Sequence, residues 1–260
     1  MKGKVISFEE SQQLQTGLIE VVDKYCRARG INYFLAYGTL IGAVRHKGHI
    51  PWDDDSDIIM PRPDFERFVS EFPETDDYKV ITYMDDDGLF YNFARITNKH
   101  TYNSRGFKKY HGVNLDIYPI DGVPEEEGNR KEYLNSVNAM ASKQYRLILK
   151  FLHYDSHYLL PFRKIFLKLM QRFNKKFDGL IQQNDYSNSS FVANLAGEPY
   201  HKIYPKQIFE EETELEFDGH KFLAPKAYHE FLTIVYGDYM KLPPEEKRIA
   251  YHGGNYYWRD

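Results

Sequence analysis

Asp53-Asp54-Asp55-Ser56-Asp57 stands directly before Ile58-Ile59-Met60. Few folds tolerate that juxtaposition. The apolar triplet reads as a buried strand, so the chain enters a core immediately after four carboxylates. Like charges that close repel unless a cation lies between them. The sheet must therefore open where this strand begins, at a place where acids stay wet or meet a metal ion. In extended chain, residues two apart share a face. Asp53, Asp55 and Asp57 are expected to project together, with Asp54 and Ser56 turned away. Mg²⁺ takes few carboxylates and keeps positions open for phosphate oxygens, so it is the ion such a cluster fits.

Two further segments bear on this cluster. "GVNLDIYPID" (112–121) sets Asp116 between Leu115 and Ile117 in an apolar strand. An ionised Asp there is costly unless paired or metal-bound. If the two strands are neighbours, Asp116 completes the cluster and can accept a proton from an attacking hydroxyl. Asp121 is accounted for by an Asp-Gly turn. Upstream, Gly38-Thr39 lies where a strand gives way to a helix, and helix N-termini bind anions through free N–H groups. Arg45, His46 and Lys47 add positive charge between that turn and the acids. These residues, with Arg95, are candidates for phosphate contacts, and Asp53 for orienting the acids.

Along the chain, Ser7 and Glu10 form a capping-box pattern ahead of an amphipathic helix that stops at Gly30. Strand patterns cover 31–38, 56–60, 78–84, 89–97 and 112–120, with helices after Gly38 and after Pro63. An acidic, turn-rich stretch (121–129) precedes mainly helical sequence to about residue 184. This gives three segments: a catalytic core (1–124), a helical segment (125–185) and a C-terminal α+β segment completing the site (186–260). They can equally pack as one compact domain. The helix after Pro161 carries Arg163, Lys164, Lys168, Arg172, Lys175 and Lys176 opposite an apolar stripe of Phe162, Phe166, Leu169, Phe173, Phe177 and Leu180. The basic side is a candidate for contact with anionic lipid. His153 and His157 have helical i, i+4 spacing but lack further metal ligands, and read as a surface pair.

The net charge of −4 argues against a general nucleic-acid binder. The single cysteine, Cys26, falls on the apolar face of the first helix and reads as an inert buried thiol. The polar N-terminus and the lack of a long apolar run predict a cytoplasmic protein.

At "YGTLIGAVRHKGHIPWDDDSDIIMPR", "FARITNKHT", "NLDIYPIDG" and "YGDYMKLPP" the sequence resembles the LicD/fukutin family of the nucleotidyltransferase-fold superfamily. Asp55 and Asp57 match the alternating acid pair, Asp116 the third acid, and Gly38-Thr39 stands where the superfamily commonly has Gly-Ser. The resemblance implies an α+β fold, a polymerase-beta-like mixed sheet flanked by helices, with an appended helical segment. It implies one or two Mg²⁺ ions at Asp55, Asp57 and Asp116. It also implies transfer of an alcohol phosphate, typically phosphocholine, from a CDP-linked donor such as CDP-choline. The acceptor would be a glycan, typically a teichoic acid or lipopolysaccharide precursor, on a lipid carrier at the inner face of the membrane, and CMP would be released. A trimethylammonium group needs aromatic walls, for which Trp52, Tyr257 and Trp258 are candidates. Transfer of ribitol or glycerol phosphate, nucleotidyl transfer with pyrophosphate release, and non-catalytic glycan or choline binding are the alternatives.

Overall fold

The computed structural model describes residues 3–85, 89–103, 112–153, 160–197, 201–250 and 255–260, with backbone only at 150–153 and 160–163. His157 and the side chains of His153, Phe162 and Arg163 lie outside the described residues.

Helix α1 (Phe8–Arg29) starts at the expected capping box, with Ser7 and Glu10 each accepting the other's backbone N–H. It ends at Gly30 in the left-handed region (φ 58°), where a side chain would be strained. Its apolar stripe, Leu18, Ile19, Val22 and Cys26, is fully buried, and burial pushes the Cys26 thiol far above its ordinary range. Then follow β1 (Phe34–Leu35), α2 (Tyr37–Arg45), β2 (Asp57–Pro61), α3 (Arg62–Glu71), β3 (Tyr78–Ile81), β4 (Ala94–Asn98), β5 (Thr101–Asn103) and β6 (Asn114–Gly122). The helical hairpin is α4 (Glu127–His153) and α5 (Leu160–Ile181). The remainder comprises β7 (Phe191–Ala193), β8 (Ile203–Pro205), β9 (Glu212–Phe217), β10 (His220–Pro225), α6 (Tyr228–Tyr236) and β11 (Tyr256–Trp258).

The central sheet runs β1-β2-β6-β4-β3. Strand β2 is parallel to β6, and every other pairing is antiparallel, so the sheet is mixed and the chain is α+β. The far end of β6 pairs with β7, which pairs with β8, so the C-terminal third shares the sheet with the first third. Helices α1 and α3 pack on β6. The hairpin covers a second apolar cluster, and Gln144 of α4 bonds Asn92 and Asn174 at its buried centre.

Several elements depart from the sequence patterns. Strand β1 is two residues long and α2 begins at Tyr37, which puts Gly38 and Thr39 inside its first turn. Asp121-Gly122 is no turn: it is the buried end of β6. Asp121 accepts from Arg62 Nε (2.6 Å) and Nη2 (2.8 Å), a long-range partner that outweighs the local turn signal. Leu169 leaves the expected apolar stripe and is 56 % exposed, because the packed face of α5 runs through Met170, Asn174, Phe177 and Ile181.

Candidate active site

Register is what builds the site. Asp57 opens β2 and lies opposite Asp116 of β6, which lies opposite Arg95 of β4. With strands about 4.8 Å apart, these residues form one row across three strands. Arg95 grips Asp116 with Nε on Oδ1 (2.5 Å) and Nη2 on Oδ2 (2.7 Å), and Asn114 adds a bond to Oδ1 (3.2 Å). Burial opposes the Arg95 charge, yet the Asp116 carboxylate holds its pKa above the ordinary value. Asp57 has no such clamp: among the described residues no cation pairs with its carboxylate. Burial, then the charges of Asp55, Asp116 and Asp53, push its carboxyl well above the usual range, with Arg95 only partly offsetting them. A buried carboxylate pressed by three others is an arrangement a divalent cation would relieve.

The acids before the strand are fixed from α1. Gln12 donates to the carbonyls of Ile50 and Asp53, and Gln15 to that of Asp54 while accepting from Ser56. Residues 53–56 are irregular, so strand alternation does not apply to them. Contrary to the expected alternation, Asp54 is not set apart: carboxylate oxygens of Asp53, Asp54 and Asp55 lie within 4.8 Å of one another. Oxygens so spaced suit a hard cation such as Mg²⁺, whereas Asp57 and Asp116, expected to share the ion with Asp55, lie outside this close-spaced set.

Helix α2 ties the acids to a second group of residues. The Thr39 hydroxyl accepts the Asp57 N–H at 2.8 Å, and a Cβ on Gly38 would come within 2.5 Å of the Asp53 carboxylate. The missing side chain at Gly38 leaves room for that acid at the first turn of the helix, where free N–H groups favour it. Arg45 and His46 lie at the other end of α2, about 13 Å along its axis. Arg45 donates to the Tyr239 carbonyl (3.0 Å) and to His46 Nε2 (2.9 Å). His46 meets Trp52 edge-on, and the Arg248 guanidinium stands over Trp52 at 5.5 Å. Burial and the nearby Arg248 charge lower the Arg45 pKa, and burial and Arg45 lower that of His46. Lys47 is exposed in the left-handed region (φ 63°). The basic residues thus form a separate cationic group beside Trp52, one residue from Asp53.

Sequence reasoning missed the tyrosines around Asp57. Tyr37, in the left-handed region (φ 47°), pays for that backbone with a hydrogen bond from Asn194 (2.8 Å). Its ring meets Tyr118 of β6 at right angles, 5.8 Å between centroids. Burial, with the Asp57 charge adding to it, pushes the Tyr37 hydroxyl up to about 12. Tyr118 and Tyr236 are raised by the same two causes, so both hydroxyls stay protonated beside the acids. Tyr37 is anchored 157 residues away, and no local pattern signals that. Arg248 was missed as well, in a Pro-rich segment with no regular pattern. Tyr257 and Trp258 are engaged elsewhere: β11 pairs with β5, Tyr257 stacks on Tyr102, and Trp258 donates to Glu10.

Comparison with known proteins places the chain in a family. The LicD/FKTN/FKRP nucleotidyltransferase-domain pattern matches residues 30–174, which include Asp57, Asp116 and Arg95. The lipopolysaccharide cholinephosphotransferase LicD of Haemophilus influenzae is 33 % identical over 96 % of this chain and 97 % of its own length. An uncharacterized protein of Rickettsia typhi is 48 % identical over 99 residues, 37 % of this chain and 31 % of its own. The chain belongs to the LicD/FKTN/FKRP family.

Proposed function

We propose that this protein transfers phosphocholine from CDP-choline to a hydroxyl of a cell-surface glycan, a lipopolysaccharide or teichoic acid precursor, releasing CMP. The observation that carries the reading is the Asp57–Asp116–Arg95 row, in which one of two adjacent carboxylates has no cation partner among the described residues. Full-length similarity to a lipopolysaccharide cholinephosphotransferase supports the transferred group and the acceptor class. On this reading the central sheet is the nucleotidyltransferase-type core, and the enzyme works on the cytoplasmic side, where nucleotide-linked donors are made.

Asp55, Asp57 and Asp116 are the proposed holders of Mg²⁺, with Asp53 and Asp54 beside them. When bound, the ion supplies charge neutralisation to a diphosphate and its leaving group. The acceptor oxygen attacks the phosphorus that bears choline, the bond from that phosphorus to the CMP oxygen breaks, and CMP leaves with the electron pair. Oδ1 of Asp116 is filled by Arg95 and Asn114, and Oδ2 accepts one bond from Arg95 and keeps one lone pair, which serves either the ion or the proton of the attacking hydroxyl and not both at once. Arg95 fixes that carboxylate's orientation, and Thr39 fixes the backbone of Asp57. Arg45, His46 and Arg248 offer donors to phosphate oxygens, with Gly38 and Lys47 nearby along the chain. The perpendicular rings of Tyr37 and Tyr118, next to Asp57, form a corner suited to a trimethylammonium, whereas Trp52 stands with Arg248 in the separate cationic group.

The test is incubation with CDP-choline, CDP-ribitol or CDP-glycerol plus Mg²⁺ and a deacylated lipopolysaccharide acceptor, following CMP. CMP release is expected with CDP-choline above the other two. Preference for CDP-ribitol or CDP-glycerol would reassign the transferred group. Pyrophosphate release from CTP with no CMP from any donor would replace this reading with nucleotidyl transfer.

A further inference from the structure

We propose that the exposed face of α5 seats the protein on an anionic lipid bilayer. Charge is segregated along the chain. Residues 133–177 carry nine Lys and Arg against one Asp, whereas the rest of the chain carries 25 against 37. A protein of net charge −4 therefore carries a local excess of positive charge in the helical hairpin.

The fold displays them on one side. At 100° per residue, Lys164, Ile165, Lys168, Leu169, Arg172, Lys175 and Lys176 fall within about 140° of arc on α5. All seven are exposed, while Met170, Asn174, Phe177 and Ile181 on the opposite side are buried. Among the described residues none of the five cations has a carboxylate partner. Ile165 and Leu169 stand between them with 57 % and 56 % of their surface exposed. The neighbouring helix adds exposed Tyr145 and Leu149 flanking Arg146.

The apolar residues choose the partner. A soluble polyanion would engage the lysines and leave Ile165 and Leu169 in water. A bilayer takes both, with cations at the headgroups and branched side chains between them. No described helix is long and apolar enough to cross a membrane, so the contact lies along the surface. The proposal is independent of the reaction assigned above. It would hold the site near an acceptor carried on lipid.

Flotation of the full chain with vesicles tests it without any substrate. Vesicles of phosphatidylglycerol and phosphatidylcholine should carry the protein at low salt and release it at high salt, and phosphatidylcholine alone should not carry it. The triple change Lys164→Glu, Lys168→Glu, Arg172→Glu should weaken partitioning about 100-fold or more, at about fivefold per cation. Ile165→Ser with Leu169→Ser should weaken it while leaving the salt dependence. Circular dichroism checks that the variants fold, and the serine pair gives a second readout should the charge variant fail. Equal flotation with neutral vesicles, or no loss in either variant, would overturn the proposal. So would binding to heparin that is as tight as to vesicles and unaffected by the serine pair, which would mark a polyanion site.

Discussion

Strand β6 carries an aspartate near each end, and each meets an arginine through two hydrogen bonds. Asp121 is buried against Arg62 at the sheet's covered end, where the guanidinium also donates to Glu66 (3.1 Å). Asp116 is clamped just as tightly by Arg95, but it has Asp57 as its neighbour in register, and Asp55 and Asp53 act on Asp57 in turn. At the covered end the arginine grips the buried carboxylate with two donors and reaches Glu66 and Asp178 as well. At the open end Arg95 grips Asp116, and among the described residues no cation pairs with the neighbouring Asp57 carboxylate. A neutralised pair holds elements together, here α3 against β6. A buried carboxylate that no described cation clamps, as at Asp57, keeps a place for one, at a cost the fold bears because the strand starts there and does not continue.

The largest effect that separates the two ends is on turnover. Asp57→Asn should lower CMP release by about a thousandfold, since metal-centred charge stabilisation contributes several kcal/mol. Its fold should survive, as seen by circular dichroism. At the other end, Arg62→Met should do the reverse. Removing one partner of a buried pair costs about 3–5 kcal/mol, readable in denaturant unfolding, while the protein that remains folded keeps its kcat. If Asp57→Asn unfolded the chain, or Arg62→Met abolished kcat in folded protein, the division of labour would fail.

A subtler contrast concerns Arg95. Arg95→Lys keeps a charge but loses the two-pronged grip on Asp116. A change of that kind, one shell out from a metal, should reduce activity about 10–100-fold and weaken Mg²⁺ dependence in parallel. Loss of stability with unchanged activity would make Arg95 a copy of Arg62.

The smallest expected effect is on stability against pH. The Asp57 carboxyl titrates higher in the folded chain than in the unfolded one, so its protonated form favours folding. That contribution is whole below the ordinary carboxylate range and is lost as pH rises through the raised value. Metal-free Asp57→Asn should therefore melt above the wild type at neutral pH, with the gap closing as the pH falls toward 4. A gap that widened on acidification would show the sign to be wrong.

The open end was more legible in sequence than the covered end. Asp57 and Asp116 announce themselves because each is a charge attached to an apolar strand, and only a few sheet arrangements accept two such strands. Asp121 hid behind an Asp-Gly pair that usually means a turn, and its arginine lies 59 residues away. Asp54 was assigned to the wrong face because alternation was extended to residues that are not in the strand. The tyrosines gave no signal: Tyr37 depends on Asn194, and Tyr118 on which face of β6 meets α2. Local periodicity records where a strand is, not what the rest of the chain brings to its end.

Manganese binding followed by electron paramagnetic resonance tests the central claim most directly, because it needs neither donor nor acceptor. The wild type and Asp121→Asn, so far as it folds, should bind Mn²⁺ with similar affinity, and Asp57→Asn should lose binding, with Mg²⁺ displacing the ion from the wild type. Equal Mn²⁺ affinity in Asp57→Asn and wild type would contradict the account.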